Sequence, residues 1–144
     1  MLSMKAKYAL RALTVLAQHG DTLLPAHRIA ELARVPERFL ETILVELRQA
    51  GFVRSRRGPD GGHTLARAAE LIGLGDVIRA IDGPLAPIRC ASLTAYRPCD
   101  DCPDPSQCAE RSLMSEVRHA MASVLDRRSL RDHLDPDLSA AAAA

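Results

Sequence analysis

The 144-residue sequence predicts a mainly α chain with a small β-hairpin wing: a winged helix-turn-helix followed by a long C-terminal dimerisation helix. Three observations predict it. Apolar residues recur at helical spacing in three successive stretches before residue 50. A glycine-rich turn at 58–62 separates two short β-prone runs. A further amphipathic stretch, with apolar positions near every 3.5 residues, spans 109–127. The expected organisation is 1–84 for the helix-turn-helix and wing, 85–108 for a cysteine-rich loop, 109–135 for the dimerisation helix and C-terminal segment, and 136–144 for a low-complexity, alanine-rich tail.

Each element has its own signals. Tyr8, Ala9, Ala12, Leu13, Val15 and Leu16 place a helix over 4–18, which His19, Gly20 and Asp21 stop. A second, short helix begins at Pro25, because proline suits a first helical turn, with Ile29, Ala30, Leu32 and Ala33 facing inward. Val35 and Pro36 break it. A third helix runs from about 36 to 49, its stripe made of Phe39, Leu40, Ile43, Leu44 and Leu47, and Gly51 ends it. Strands are expected over 52–56 and 63–66, and a fourth helix over 74–81. From Pro84 the character changes: five of the nine prolines lie from Pro84 to Pro105 and no glycine follows Gly83, so 85–108 reads as irregular. Apolar positions at Leu113, Met114, Val117, Met121, Val124 and Leu125 then mark the long helix.

Composition removes several classes. The 47% apolar share supports a packed core, built of aliphatic residues because there are two Tyr, two Phe and no Trp. No apolar run is long enough to cross a membrane, and Arg11 interrupts the one near the N-terminus, which argues against a secretory signal and for the cytoplasm. The totals of 19 Lys+Arg and 18 Asp+Glu nearly cancel, but the window 48–67 holds five arginines against Asp60 alone. The glycines at 58–62 lack the pattern of a nucleotide-binding loop, and the five histidines pair with no nucleophile, so enzyme chemistry has no support.

The order helix, short helix, tight turn, helix, hairpin is one that reads double-stranded DNA. With the apolar stripe of the third helix turned inward, Arg38, Glu41 and Thr42 lie on its outer N-terminal part. There Arg38 suits guanine O6/N7, Glu41 the amino group of cytosine, and Thr42 a base edge or methyl group. Arg54, Arg56 and Arg57 flank a turn whose Gly61 and Gly62, followed by His63, are thin enough to approach a phosphate backbone or a minor groove. A hairpin with arginines that is merely solvated is the plainer alternative. Arg34 stands in the turn where many such motifs have glycine.

All four cysteines, Cys90, Cys99, Cys102 and Cys108, fall within nineteen residues in the pattern C-x8-C-x2-C-x5-C, among Pro, Asp and Ser. Thiolates so close repel one another and need a cation or an iron–sulfur cluster to offset that repulsion. Spacing alone leaves open a cluster, a tetrahedral zinc site, thiol/disulfide chemistry, or no ligand role. Asp100, Asp101 and Asp104 suit turns better than ligation.

Taken together, residues 5–11 (KAKYALR), 29–31 (IAE), 39–41 (FLE), 47–62 (LRQAGFVRSRRGPDGG), 65–67 (LAR) and 76–84 (DVIRAIDGP) resemble the Rrf family of bacterial transcription regulators, the IscR/NsrR/RirA/CymR group. The likeness covers about 3–135, and its hairpin segment is highly specific. It implies a homodimeric winged-helix repressor or activator on a dyad-symmetric DNA operator, with Glu41 at a base-reading position and Arg57 at the minor-groove position. In cluster-binding members the loop carries three cysteines, which Cys90, Cys102 and Cys108 match. This chain adds about six residues and Cys99, and it has Arg111 where IscR-like members place a histidine ligand and Lys7 where others place a carboxylate. Cys99 is therefore the expected fourth ligand of an iron–sulfur cluster, [2Fe-2S] or [4Fe-4S], with zinc as the alternative metal. The competing functions are a metal-free thiol/disulfide or cysteine-metabolism regulator, and a zinc-stabilised winged helix that binds proteins.

Overall fold

A computed structural model describes residues 2–135 and 137. The alanine-rich tail beyond them lies outside the described residues. The elements are α1 (Met4–Gln18), α2 (Ala26–Ala33), α3 (Glu37–Gln49), β1 (Val53–Arg56), β2 (Gly62–Leu65), α4 (Leu74–Asp82), α5 (Ala109–Leu125) and α6 (Leu130–Leu134). Short 3-10 turns lie at Ala69–Leu71, Arg89–Ala91 and Pro105–Gln107.

Helix α1 is the centre of the body and packs against α2, α3, α4 and α6. Its small residues Ala6, Ala9 and Ala12 are fully buried, which lets neighbouring helices approach, while Leu13 and Leu16 fill the space between them. Ser3 caps it, its Oγ accepting from the Ala6 N–H at 3.0 Å. The Ser3 N–H also donates to Asp82 at 3.0 Å, tying the start of α1 to the end of α4. Ile29, Leu40, Ile43, Leu47, Ile72 and Val77 complete the centre. Each such side chain contributes roughly 1.5–3 kcal/mol by leaving water.

β1 and β2 pair antiparallel in the register Val53↔Leu65, Arg54↔Thr64, Ser55↔His63 and Arg56↔Gly62. The ribbon is seated on the body by a bridge between Leu24 and His63, whose backbone groups exchange hydrogen bonds of 3.1 and 2.8 Å. Gly62 is required there. At φ +153° a Cβ on it would stand 2.7 Å from the Leu24 backbone.

Two expectations need correction. Phe39 is 46% exposed rather than part of the core stripe. It precedes Leu40 by one residue, about 100° around the helix, and lies outside the face formed by Leu40, Ile43, Leu44 and Leu47. Leu32 is 38% exposed for the same reason, beside inward-facing Ala33. The C-terminal segment after α5 forms α6, which returns to the body, and Leu130 is completely buried in the core shared with α1. The signal was present in the sequence, since Ser129 and Asp132 form a capping box, each side chain binding the other's backbone N–H.

Candidate nucleic-acid interface and cysteine loop

The turn between α2 and α3 sets the angle at which α3 is presented. Arg34 takes the left-handed conformation there (φ 55°, ψ 51°), the geometry for which glycine is usually selected, and its N–H closes the end of α2 on Ala30 and Glu31. Val35 and Ala33 on either side are buried and hold it.

The predicted readers of α3 fan around its exposed face. Glu41 faces the wing and lines a hollow of about 230 Å³ with Ala26, Arg48, Ser55 and His63. Thr42 lines a separate apolar hollow on the α1 side, with Tyr8 and Phe39. The Arg38 guanidinium stacks over the Phe39 ring at 4.6 Å, which limits its freedom before any ligand arrives. Side chains alternate along a strand, so the register divides the wing. Ser55 and His63 share the face that meets α3, whereas Arg54 and Arg56 project from the opposite face. Arg56 is partly engaged, donating to the Asp60 carbonyl at 3.1 Å, and Arg57 is exposed at the tip. Gly61 has a structural reason to be glycine, because a Cβ would lie 2.1 Å from the Arg56 carbonyl oxygen.

Arg48 was not singled out from the sequence, although it lay in the basic window. Its position seven residues after Glu41, two helical turns along one face, was the available signal. His63 hydrogen-bonds to the Ser55 Oγ at 2.7 Å. Burial, and then the charge of Arg48, hold its pKa below the ordinary value of 6.5.

The cysteine loop is held differently. Cys90 sits on the 3-10 turn Arg89–Ala91 and is 6% exposed. Cys99 reaches back to it, sulfur to sulfur at 3.9 Å. Two thiolates on one tetrahedral ion, with metal–sulfur bonds of about 2.3 Å, stand roughly 3.8 Å apart, so this pair already has the spacing of one ligand edge. Cys102 is half-buried; burial raises its pKa, and the nearby charges of Cys108 and Cys90 add to the effect. The hydrogen bond to Cys90, and then its charge, likewise raise that of Cys99. Cys108 caps α5, its Sγ accepting from the Arg111 N–H at 3.4 Å. Among the described residues no three Cys, His, Asp or Glu side chains gather closely enough to hold an ion in this arrangement. The donor chemistry fits a four-thiolate centre, with Cys90 and Cys99 adjacent and Cys102 and Cys108 farther off. Asp104 is a turn former, accepting from the Ser106 N–H and hydroxyl at 2.9 and 2.7 Å.

The comparisons with known proteins agree with this fold. Residues 2–136 match the Rrf2 family, described as iron-dependent transcriptional regulators. An rrf2-like HTH-type regulator of Rhodobacter capsulatus is 41% identical over 138 residues, 93% of this chain and 92% of that protein. The structure of CymR, the global cysteine regulator of B. subtilis, superposes with a TM-score of 0.74 at 32% identity, covering 93% of this chain and 95% of that one. T. potens IscR gives 0.70 at 32% identity, covering 93% and 85%. No helix among the described residues is long and apolar enough to cross a membrane. With a winged helix-turn-helix body, and a likeness that runs through wing, loop and long helix alike, the chain belongs to the Rrf2 family and is a transcription regulator, not an enzyme.

Proposed function

We propose that this regulator works as a homodimer on a dyad-symmetric DNA operator, reading it with α3 and the wing, and that the state of its cysteine loop sets its affinity. The observation that carries the DNA reading is the shared hollow: Glu41 and Arg48 of α3 face the same depression as Ser55 and His63 of the wing. One rigid unit thus offers a helix to a major groove and a basic ribbon to the flanking backbone. Arg38 and Thr42 supply further base contacts, Arg54, Arg56 and Arg57 supply charge on the outer side and tip of the ribbon, and Gly61 and Gly62 keep it thin. For pairing, α5 offers Leu113, Val117 and Val124, all exposed. At about 100° per residue they fall within roughly 40° of one another, forming one apolar stripe.

Cys90, Cys99, Cys102 and Cys108 would hold an iron–sulfur cluster, which supplies the positive charge that allows four thiolates to sit together; zinc would serve the same electrostatic end. The chain's own connections support a route from loop order to the helix. Cys108 is both a candidate ligand and the N-cap of α5. The far end of α5 is fixed to α4 by paired bonds of 2.8 Å from Arg79 to Asp126. A change at the loop therefore acts on α5 from one end only, and so on the spacing of two reading heads in a dimer.

The test uses duplexes selected from a random pool. Arg57→Ala is expected to weaken binding and reduce the log–log salt slope by about one unit. Glu41→Ala is expected to relax preference at one base pair by about 1–3 kcal/mol. Unchanged affinity, salt slope and base preference in both variants would overturn the placement. Iron, sulfide and zinc content after oxygen-free purification decides the cofactor. A second reading, metal-free thiol regulation, is favoured by the Cys90–Cys99 approach of 3.9 Å. It predicts a Cys90–Cys99 disulfide under peroxide and DNA binding indifferent to iron.

A further inference from the structure

Arg111, in the first turn of α5, gathers the cysteine loop around itself. Its Nε donates to the carbonyl of Cys90 at 2.9 Å, across 21 residues of chain. One Nη reaches the carbonyl of Pro105 at 3.5 Å, a longer contact at the loop's other end. The guanidinium lies over the ring of Tyr96, midway along the loop, at 5.8 Å from its centre. Its backbone N–H meets the Sγ of Cys108. Start, middle and end of the segment thus converge on one side chain. Among the described residues the other ties within the loop are shorter in reach, such as Cys99 to Cys90 at 3.9 Å, the Arg97 N–H to the Arg89 carbonyl at 3.3 Å and the Ala95 N–H to Ser92 at 3.0 Å.

We infer that Arg111 is the positioning residue of this loop: it folds 90–108 onto α5 and holds the thiol-bearing segment in place before any ion is present. This deepens, and rests on, the reading of the loop as a ligand-bearing segment. The guanidinium has only donors and no lone pair to offer a metal, so ligation is not its role. A planar fork of donors does suit it for holding two carbonyls while its face rests on an aromatic ring.

The experiment uses the full-length, metal-free protein and Arg111→Ala, with Arg111→Lys as the variant that keeps the charge and the helix. In the wild type, Cys90 is expected to resist alkylation while Cys99 reacts readily, as their burial implies. In Arg111→Ala, alkylation of Cys90 should speed up roughly tenfold, the effect of losing one hydrogen bond that closes the segment. Hydrogen exchange should rise within 85–107 while the body keeps its protection. Affinity for Zn²⁺, measured against a chelator, should fall by about 10–100-fold, as when a group that orients ligands is removed. Arg111→Lys should fall between the two. Equal Cys90 protection in wild type and Arg111→Ala would overturn the inference. If the wild type binds neither Zn²⁺ nor iron, the ligand reading fails, and the alkylation rates still decide whether Arg111 closes the loop.

Discussion

The reading half and the cysteine loop of this regulator are adjacent in one chain but are held by different forces. In the reading half, α1 is enclosed by α2, α3, α4 and α6, and completely buried leucines and isoleucines fix where Glu41, Arg48 and His63 point. In the loop the described residues build only short 3-10 turns, and backbone carbonyls gathered on Arg111 do most of the positioning. Apolar packing is non-directional, strong in sum and indifferent to ligands. A few polar ties are weak singly and can be remade around an ion. The difference fits the proposed division of labour, in which a preformed surface reads and a lightly held segment responds.

The largest expected effect tests that division with two leucines. Leu130 of α6 is fully buried against α1, whereas Leu93 in the loop is 83% exposed. Leu130→Ala should cost about 2–5 kcal/mol of unfolding free energy, by lost transfer energy and the cavity left behind. Leu93→Ala should stay within about 0.5 kcal/mol. Denaturant titration of both variants checks this. A loss at Leu93 approaching that at Leu130 would mean that the loop is part of the cooperative core, and the contrast would fail.

What the sequence made legible divides along the same line. Periodicity located α1 at Met4–Gln18 and nearly all of α3, because a helix that must bury one face repeats its apolar residues every three to four positions. The edges of those faces were not legible, since Phe39 and Leu32 are apolar and yet lie where the helix turns away from its neighbours. Alternation puts Arg54 and Arg56 on one face, but which face of the wing meets α3 was not legible, because it depends on the Leu24–His63 bridge that seats the ribbon on the body. In the loop, spacing identified the four cysteines as a set. It did not show that Cys90 and Cys99 approach first, or that Arg111 draws the segment in, because those contacts span 9 and 21 residues with no repeating pattern.

A smaller effect separates the two regions by pH. His63 joins wing to body, and burial together with Arg48 holds its folded pKa below the ordinary 6.5. Between the folded and unfolded values the unfolded chain binds more protons, so stability rises with pH through that window and is lost as pH falls below about 6.5. One proton sets a slope of at most about 1.4 kcal/mol per pH unit. Cys99 and Cys102 have pKa values displaced upward, so they titrate on the alkaline side and do not enter this window. Melting temperatures of wild type and His63→Gln between pH 5 and 8 should converge toward acid and diverge toward neutral. Parallel curves would show that the wing junction does not discriminate between the protonation states of His63.

The smallest expected effect is also the most local. Arg34 is the one non-glycine residue with positive φ among the described residues, and it lies in the tightly packed half. The cysteine loop contains none, so strain and loose tethering do not coincide in this chain. A left-handed conformation costs an L-residue roughly 1–2 kcal/mol, and it persists here because Ala33 and Val35 are buried on either side and the Arg34 N–H closes α2. Arg34→Gly removes that cost but adds about 0.5–1 kcal/mol of freedom to the unfolded chain. The expected net is a gain of about 0.5–1 kcal/mol, with the buried neighbours unmoved. A gain in denaturant midpoint with an unchanged denaturant slope would show that packing in the reading half imposes a backbone conformation its own residue disfavours. A loss would show instead that the Arg34 side chain contributes more to the turn than its backbone conformation costs, and local contacts as well as the core would then have to be credited with fixing the angle of α3.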